Sequence, residues 1–196
     1  MSLVVGDDGR TRCAWGSGTA DYREYHDHEW GVPVHGDRAI FERLTLEAFQ
    51  SGLSWLTILR KREAFRSAFV GFDVEGIAAF GEGDRARLLS DAGIVRNRAK
   101  IEATITNARA LLAWQESDGD GVLNDLVWSF AQARRPRPRE VSDISATSEQ
   151  SRELSKALKQ RGFVFIGPTT MHAALQAMGV LDDHLEGCWV VAHRGA

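Results

Sequence analysis

The stretch Leu88–Lys100, LLSDAGIVRNRAK, constrains the fold more than any other. Leu88 and Leu89 close an apolar helical run. Gly93 can take the left-handed backbone that ends a helix, and Ile94 plugs the turn behind it. Arg96, Asn97, Arg98 and Lys100 then open a second helix, in which Ile101, Ile105, Ala108 and Leu112 recur at helical spacing. Two helices meeting at so tight a turn predict a corner in an all-α core. The polar first turn of the second helix gathers backbone N–H groups and cations at one N-terminus. That is an anion site, and a nucleic-acid phosphate is the obvious polyanion. An ordinary helical corner is the competing reading.

The rest of the pattern is helical too. Asp37 is placed to cap a helix over 38–51, with Ile40, Phe41, Leu44 and Ala48 on its apolar face. Ser54 caps the next helix, which turns Trp55, Ile58, Leu59 and Phe65 inward. Asp73 starts a short helix through Phe80, and Asp84 starts the first hairpin helix. LNDLVWSF reads as another short helix, and Thr147 with Gln150 makes a capping box for a helix over 148–161 that Gly162 stops. Pro168 opens a last helix, with Met171, Ala174, Leu175 and Met178 inside and Gly179 at its end. Residues 1–12 read as an irregular start, 13–36 as a loop packed by its own aromatic rings, 131–148 as the least ordered stretch, and Phe163 to Ile166 as buried coil. The expectation is one domain over 1–196 with seven to nine helices.

The chain has 196 residues, of which 43% are apolar and 26% charged, enough to fill one core. No stretch approaches the roughly 20 apolar residues that cross a bilayer, and MSLVVGDDGR has no signal-peptide pattern, so a cytoplasmic location is expected. The net charge of −3 argues against a dedicated nucleic-acid binder. Local clusters argue the other way: Arg60–Lys61–Arg62, Arg96–Lys100, and Arg134, Arg135, Arg137 and Arg139. The two cysteines, Cys13 and Cys188, stand near opposite ends, and a disulfide is not expected in a reducing cytosol.

Two features point to chemistry. Glu47 lies i+3 from Leu44 and i+7 from Ile40, at the border of an apolar stripe, where a carboxylate needs a partner or a job. Trp15, Tyr22, Tyr25, Trp30 and Trp55 are dense around it in sequence. Cys13 and His26, with His184 and Cys188, make a complete tetrahedral donor set for zinc. His-x₃-Cys lets two donors face one point, but twelve residues between Cys13 and His26 is not the usual finger spacing. Two buried thiols and two ordinary histidines remain the alternative. His28, His35, His172 and His193 are read as surface or hydrogen-bonded residues, and Asp182 and Asp183 as groups that could orient the neighbouring His184.

Taken together, RCAW, YHDHEWGVP, LEAFQSGLSW, DAGIVRNRAKI, LSKALKQRGFVFIGPTT and DDHLEGC, in this order from about Cys13 to Cys188, resemble the DNA-3-methyladenine glycosylase I family. Gly93, Ile94 and Ala99 match the helix-hairpin-helix turn of base-excision glycosylases, with Val95 where that turn has its second glycine. The resemblance implies an all-α, helix-hairpin-helix domain. One structural zinc on Cys13, His26, His184 and Cys188 would join segments 13–36 and 180–190.

It also implies an enzyme that flips and hydrolytically removes 3-methyladenine from alkylated double-stranded DNA, leaving an abasic site without cutting the strand. In that reading Trp15, Tyr25 and Trp55 surround the base, Tyr22 is a neighbour, Glu47 bonds its edge, and Trp30 packs the loop. Gly93, Arg96, Asn97 and Lys100 hold one DNA phosphate, with Lys159 and Arg161 as further candidates. Asp118 is not assigned the role of the aspartate found downstream of the hairpin in most such enzymes. A monomer with no membrane contact is expected. The rival readings are a zinc-stapled nucleic-acid-binding module without catalysis, a glycosylase for another base, and a small-molecule zinc hydrolase.

Overall fold

The computed structural model describes residues 3–131 and 136–190. Arg134, Arg135 and His193 lie outside them. Among the described residues there are nine α-helices: α1 Ala20–His28, α2 Asp37–Gln50, α3 Trp55–Ala68, α4 Val74–Ala78, α5 Glu82–Ser90, α6 Arg98–Asp118, α7 Val122–Trp128, α8 Glu149–Gln160 and α9 Pro168–Ala177. A small antiparallel hairpin of β1 Leu3–Val5 and β2 Thr11–Cys13 precedes them, with Leu3 opposite Cys13. No helix among the described residues is long and apolar enough to cross a membrane.

The main core runs from Tyr25 to Leu181 and is built of apolar helix faces. Phe49 and Phe65 join α2 to α3 with ring centres 4.7 Å apart, and Phe65, Phe69, Phe72 and Phe80 continue the column. Helix α2 packs on α3, α6, α7 and α9, so it lies at the centre of the fold. A second small cluster, Cys13, Leu185, Cys188 and Val190, joins the two ends of the chain.

Several boundaries differ from expectation, each for a local reason. The opening residues, expected to be irregular, form a strand pair around a turn at Gly9 (φ 74°), because Leu3 and Cys13 pack on the C-terminal segment. The 13–36 segment contains α1. Its inner face is Tyr25, His26 and Asp27 rather than aliphatic residues, so no hydrophobic period announces it. Asp37 is the first residue of α2, not its cap. Its carboxylate accepts from Gln115 Nε2, Gly121 N and Asn124 N and ties α2 to α6 and α7. Helix α5 begins at Glu82, with Asp84 accepting from Gly81 N at 3.1 Å. The cap of α8 is Ser148, paired reciprocally with Ser151. In 163–166 only Phe163 and Ile166 are buried; Val164 and Phe165 face outward. Ser54 and Asp73 cap as expected, accepting from Thr57 N and Gly76 N.

Candidate active site

The hairpin between α5 and α6 spans Asp91 to Asn97. Gly93 does not have a positive φ, so it does not end α5 in the left-handed form. Close approach explains it instead: a Cβ there would meet Asp91 Oδ1 at 2.9 Å and the Ala64 methyl at 3.0 Å. Its N–H is already given to Asp91 Oδ1 at 2.7 Å, and the Lys61 ammonium donates to the carbonyls of Ala92 and Gly93. Asn97 is the cap of α6, accepting from Lys100 N at 3.1 Å.

Lys100 departs most from expectation. Its side chain is buried and its ammonium donates to Phe49 O at 2.8 Å and Ser51 O at 2.6 Å. It caps the C-terminus of α2, where unpaired carbonyls attract a cation, and does not face a phosphate. Arg96 and Arg98 are exposed with no carboxylate partner among the described residues. The Arg60–Arg62 cluster is occupied internally: Arg60 pairs with Asp21 and Arg62 with Glu29. Arg137 pairs with Asp182 and Arg139 with Glu186. Arg161 lies over Trp114 and bonds Asp118, which ties off both residues.

A cavity of about 270 Å³ opens between α1, α2, α9 and the start of α3, lined by Trp15, Tyr22, Tyr25, Trp30, Glu47, Gln50, Trp55, Ile144, Ala173 and Gln176. The volume is just under the ~300–1,000 Å³ of drug-sized sites and suits a ligand of nucleobase size. Trp15 is the hub of the rings, with centres 5.2 Å from Tyr22, 6.4 Å from Tyr25 and 4.9 Å from Trp30; Tyr25 lies 5.2 Å from Trp55. The Trp55 indole N–H is buried without a hydrogen-bond partner, an orphan donor that an occupant could satisfy.

Glu47 is 4% exposed, and its carboxyl makes no hydrogen bond among the described residues. Burial raises its pKa from 4.5 to about 8, opposed by the Arg43 guanidinium one turn earlier on α2. Burial therefore favours the neutral carboxylic acid at neutral pH. Burial likewise raises the phenols of Tyr22 and Tyr25, with Glu47 adding to both, so they stay neutral. All four expected aromatic residues reach the cavity, and so does Trp30, expected only to pack the loop. Gln50, Ile144, Ala173 and Gln176 were not foreseen. Gln50 follows Glu47 by three on α2, which is the signal that could have found it; nothing in the sequence marked Ala173 or Gln176.

Behind the Trp15–Trp30 wall, Cys13, His26, His184 and Cys188 are all buried, and their donor atoms lie within 4.8 Å of one another. Cys188 Sγ is 3.7 Å from His26 Nε2 and 3.8 Å from His184 Nδ1. The other ring nitrogens are anchored: His26 Nδ1 lies 2.8 Å from Asp27 Oδ1, and His184 Nε2 lies 3.1 Å from Trp30 O. Acceptors on the outer nitrogens keep the inner lone pairs free for a metal. Asp27, held by the buried Arg12, is the orienting group that spacing alone did not single out. Asp182 does act on His184, by accepting its backbone N–H at 3.2 Å.

The methyladenine glycosylase family model matches residues 15–192. The DNA-3-methyladenine glycosylase of Haemophilus influenzae is 45% identical over 181 residues, covering 91% of this chain and 96% of that protein. DNA-3-methyladenine glycosylase 1 of Escherichia coli is 46% identical over 179 residues, covering 90% and 95%. A crystal structure of a 3-methyladenine DNA glycosylase I superposes with a TM-score of 0.86 at 46% identity, covering 91% of this chain and 98% of that one. A variant of such an enzyme, solved in complex with 3-methyladenine, superposes with a TM-score of 0.84 at 36% identity, covering 91% and 96%. With a family model spanning most of the chain and relatives 45% and 46% identical over 96% and 95% of their length, this chain belongs to the methyladenine glycosylase family.

Proposed function

We propose that this chain is a monofunctional DNA glycosylase that takes 3-methyladenine out of alkylated duplex DNA in the cytoplasm, working as one domain. The observation that carries the reading is Glu47, a buried carboxyl without a hydrogen-bond partner among the described residues, facing a cavity of indole and phenol rings. The lesion nucleoside is a flat cation. Aromatic faces attract it, and its charge draws the Glu47 proton off, leaving a carboxylate beside it. As the C1′–N9 bond breaks, its electron pair neutralises the base and the positive charge passes to the sugar. A carboxylate fixed within the cavity stabilises both cations better than mobile water does. Water adds at C1′ and its proton leaves to solvent, so a cationic nucleoside and water become neutral 3-methyladenine, an abasic site and a proton. Lys100 is not a Schiff-base nucleophile here, because its nitrogen is committed to two backbone carbonyls.

The metal we assign to Cys13, His26, His184 and Cys188 is one zinc ion. Two sulfurs and two imidazoles suit its softness, and separations of 3.7 and 3.8 Å suit a tetrahedron with bonds of about 2.1–2.3 Å. With four protein donors such an ion supplies a cross-link rather than an open position for water.

DNA is held at the α6 N-terminus by Arg96, Asn97 and Arg98. Arg96→Met should flatten the dependence of log binding constant on log salt by about 0.9, one phosphate contact, whereas Lys100→Met should leave that slope unchanged. Equal slopes for wild type and Arg96→Met would move the phosphate elsewhere. The decisive experiment incubates pure protein with alkylated duplex and identifies released bases by chromatography. The expected result is free 3-methyladenine with an uncut backbone. DNA binding without release would leave the non-catalytic module as the correct reading.

A further inference from the structure

Side chains of α1 and α2 form two rungs. In the first, Tyr25 and Glu47 both line the cavity. The second lies one turn away on each helix. Glu29 follows Tyr25 by four at the end of α1, with its N–H on the Tyr25 carbonyl at 3.0 Å, and Arg43 precedes Glu47 by four on α2. Arg43 Nη2 lies 3.4 Å from Glu29 Oε2, which places the guanidinium in that rung. Glu29 is already taken: Arg62 of α3 holds both of its oxygens, Nη2 bonding Oε1 at 2.9 Å. Two guanidiniums therefore share one carboxylate, and Arg43 Nη1 is buried with no hydrogen-bond partner. The neighbouring Glu42 does not relieve it, because Arg66 holds Glu42 at 2.8 Å.

We propose that Arg43 is a positioning residue for excision, acting through Glu47 as the buried positive charge that balances the carboxylate formed beside the extruded base. This rests on the base-excision reading. A carboxylate in so buried a place needs a counter-charge, above all once the C1′–N9 electron pair has neutralised the base. A guanidinium keeps its charge at every working pH, and one helical turn brings it within reach. Of the other groups around Glu47, α1 supplies the phenols of Tyr22 and Tyr25, which burial keeps neutral; α3 supplies the Trp55 indole, and α9 supplies Ala173 and Gln176. None of these is a cation, and Arg43 is the charge that opposes the effect of burial on Glu47. Arg43 itself is not in the cavity wall. It favours the carboxylate from one turn back, without touching a cationic base that it would repel.

The test follows single-turnover release of 3-methyladenine from alkylated duplex between pH 6 and 10, at subsaturating enzyme, for wild type, Arg43→Met and Arg43→Lys. Wild-type rate should fall toward acid pH below a midpoint of about 8. Arg43→Met should raise that midpoint by about one pH unit, so that it is about tenfold slower at pH 7 and converges with wild type toward pH 10. Arg43→Lys keeps the charge and should restore the wild-type midpoint. Arg62 still holds Glu29 in both variants; should Arg43→Met not fold, Arg43→Gln gives the same comparison. Denaturant unfolding supplies a readout free of DNA. The stability gap between wild type and Arg43→Met should be constant below pH 7. As pH rises from 8 toward 10 only the wild-type carboxyl ionises easily in the folded state, and the gap should widen in favour of wild type by about tenfold in unfolding constant. A folded Arg43→Met or Arg43→Gln whose midpoint matches wild type, or whose loss of rate is the same at every pH, overturns the proposal. Wild type that releases no base overturns the base-excision reading; a stability gap that still widens above pH 8 then upholds Arg43 as the counter-charge of Glu47, and a constant gap removes it.

Discussion

Glu47→Gln is expected to lower single-turnover excision about 100-fold while binding neutral free 3-methyladenine within a few-fold of wild type. Glutamine keeps the shape and the hydrogen-bonding capacity of the neutral acid, which is the form that burial favours. It cannot ionise when a cation enters, and so loses the interaction that matters as charge passes from base to sugar. The same substitution should stabilise the protein in a pH-dependent way. The unfolded carboxyl releases its proton near 4.5 and the folded one only near 8. Below pH 4.5 both states are protonated and Glu47 costs nothing; as pH rises through that window the unfolded state gains, and wild type weakens relative to the variant. The difference should level off above pH 8 at something on the order of 5 kcal/mol. Denaturant titrations of both proteins between pH 5 and 8.5 measure it. A stability difference that stays flat across that window would mean that Glu47 ionises normally in the free protein, and the pocket would need another account.

How far the site was legible follows from what its residues do for the fold. Glu47 stood out because a carboxylate on an apolar stripe breaks the pattern that packing demands. Ser54 and Asp73 were readable because capping is a local hydrogen bond within three residues. Lys100 was misread because a cation in a helix's first turn looks the same whether it meets a phosphate or the tail of a distant helix. Its partners, Phe49 and Ser51, lie about fifty positions away, and only the tertiary fold brings them together. Gly93 was assigned the wrong conformation for a related reason: glycine signals that a Cβ is not tolerated, not which neighbour forbids it. Helix α1 was hidden because its inward face serves the cavity and the Cys/His cluster, so its period is written in tyrosine, histidine and aspartate. The order of motifs along the chain supplied the rest of the site.

With zinc on the cluster as proposed, Cys188→Ala should abolish metal binding and lower the melting temperature by about 10 °C or more. The reason lies in how the cluster connects to the cavity. Trp15 follows Cys13 by two residues, and Tyr25 precedes His26 directly. Trp30 offers its carbonyl to His184 Nε2 at 3.1 Å, and Gln176 bonds Asp183, the residue before His184. Four lining residues therefore take their positions from segments that end in the Cys/His cluster. Without the ion, two thiols and two imidazoles are left packed together with no bond holding the C-terminal segment to β2 and α1. The rings should then lose their fixed spacing as well as the chain its closure. Binding of free 3-methyladenine should fall at least tenfold at a temperature where α2 and α6 are still folded by circular dichroism. Metal analysis should return one zinc per wild-type chain and none for the variant. A variant that melts at the wild-type temperature and binds the base as well would separate the cluster from the pocket and leave the four residues as ordinary core.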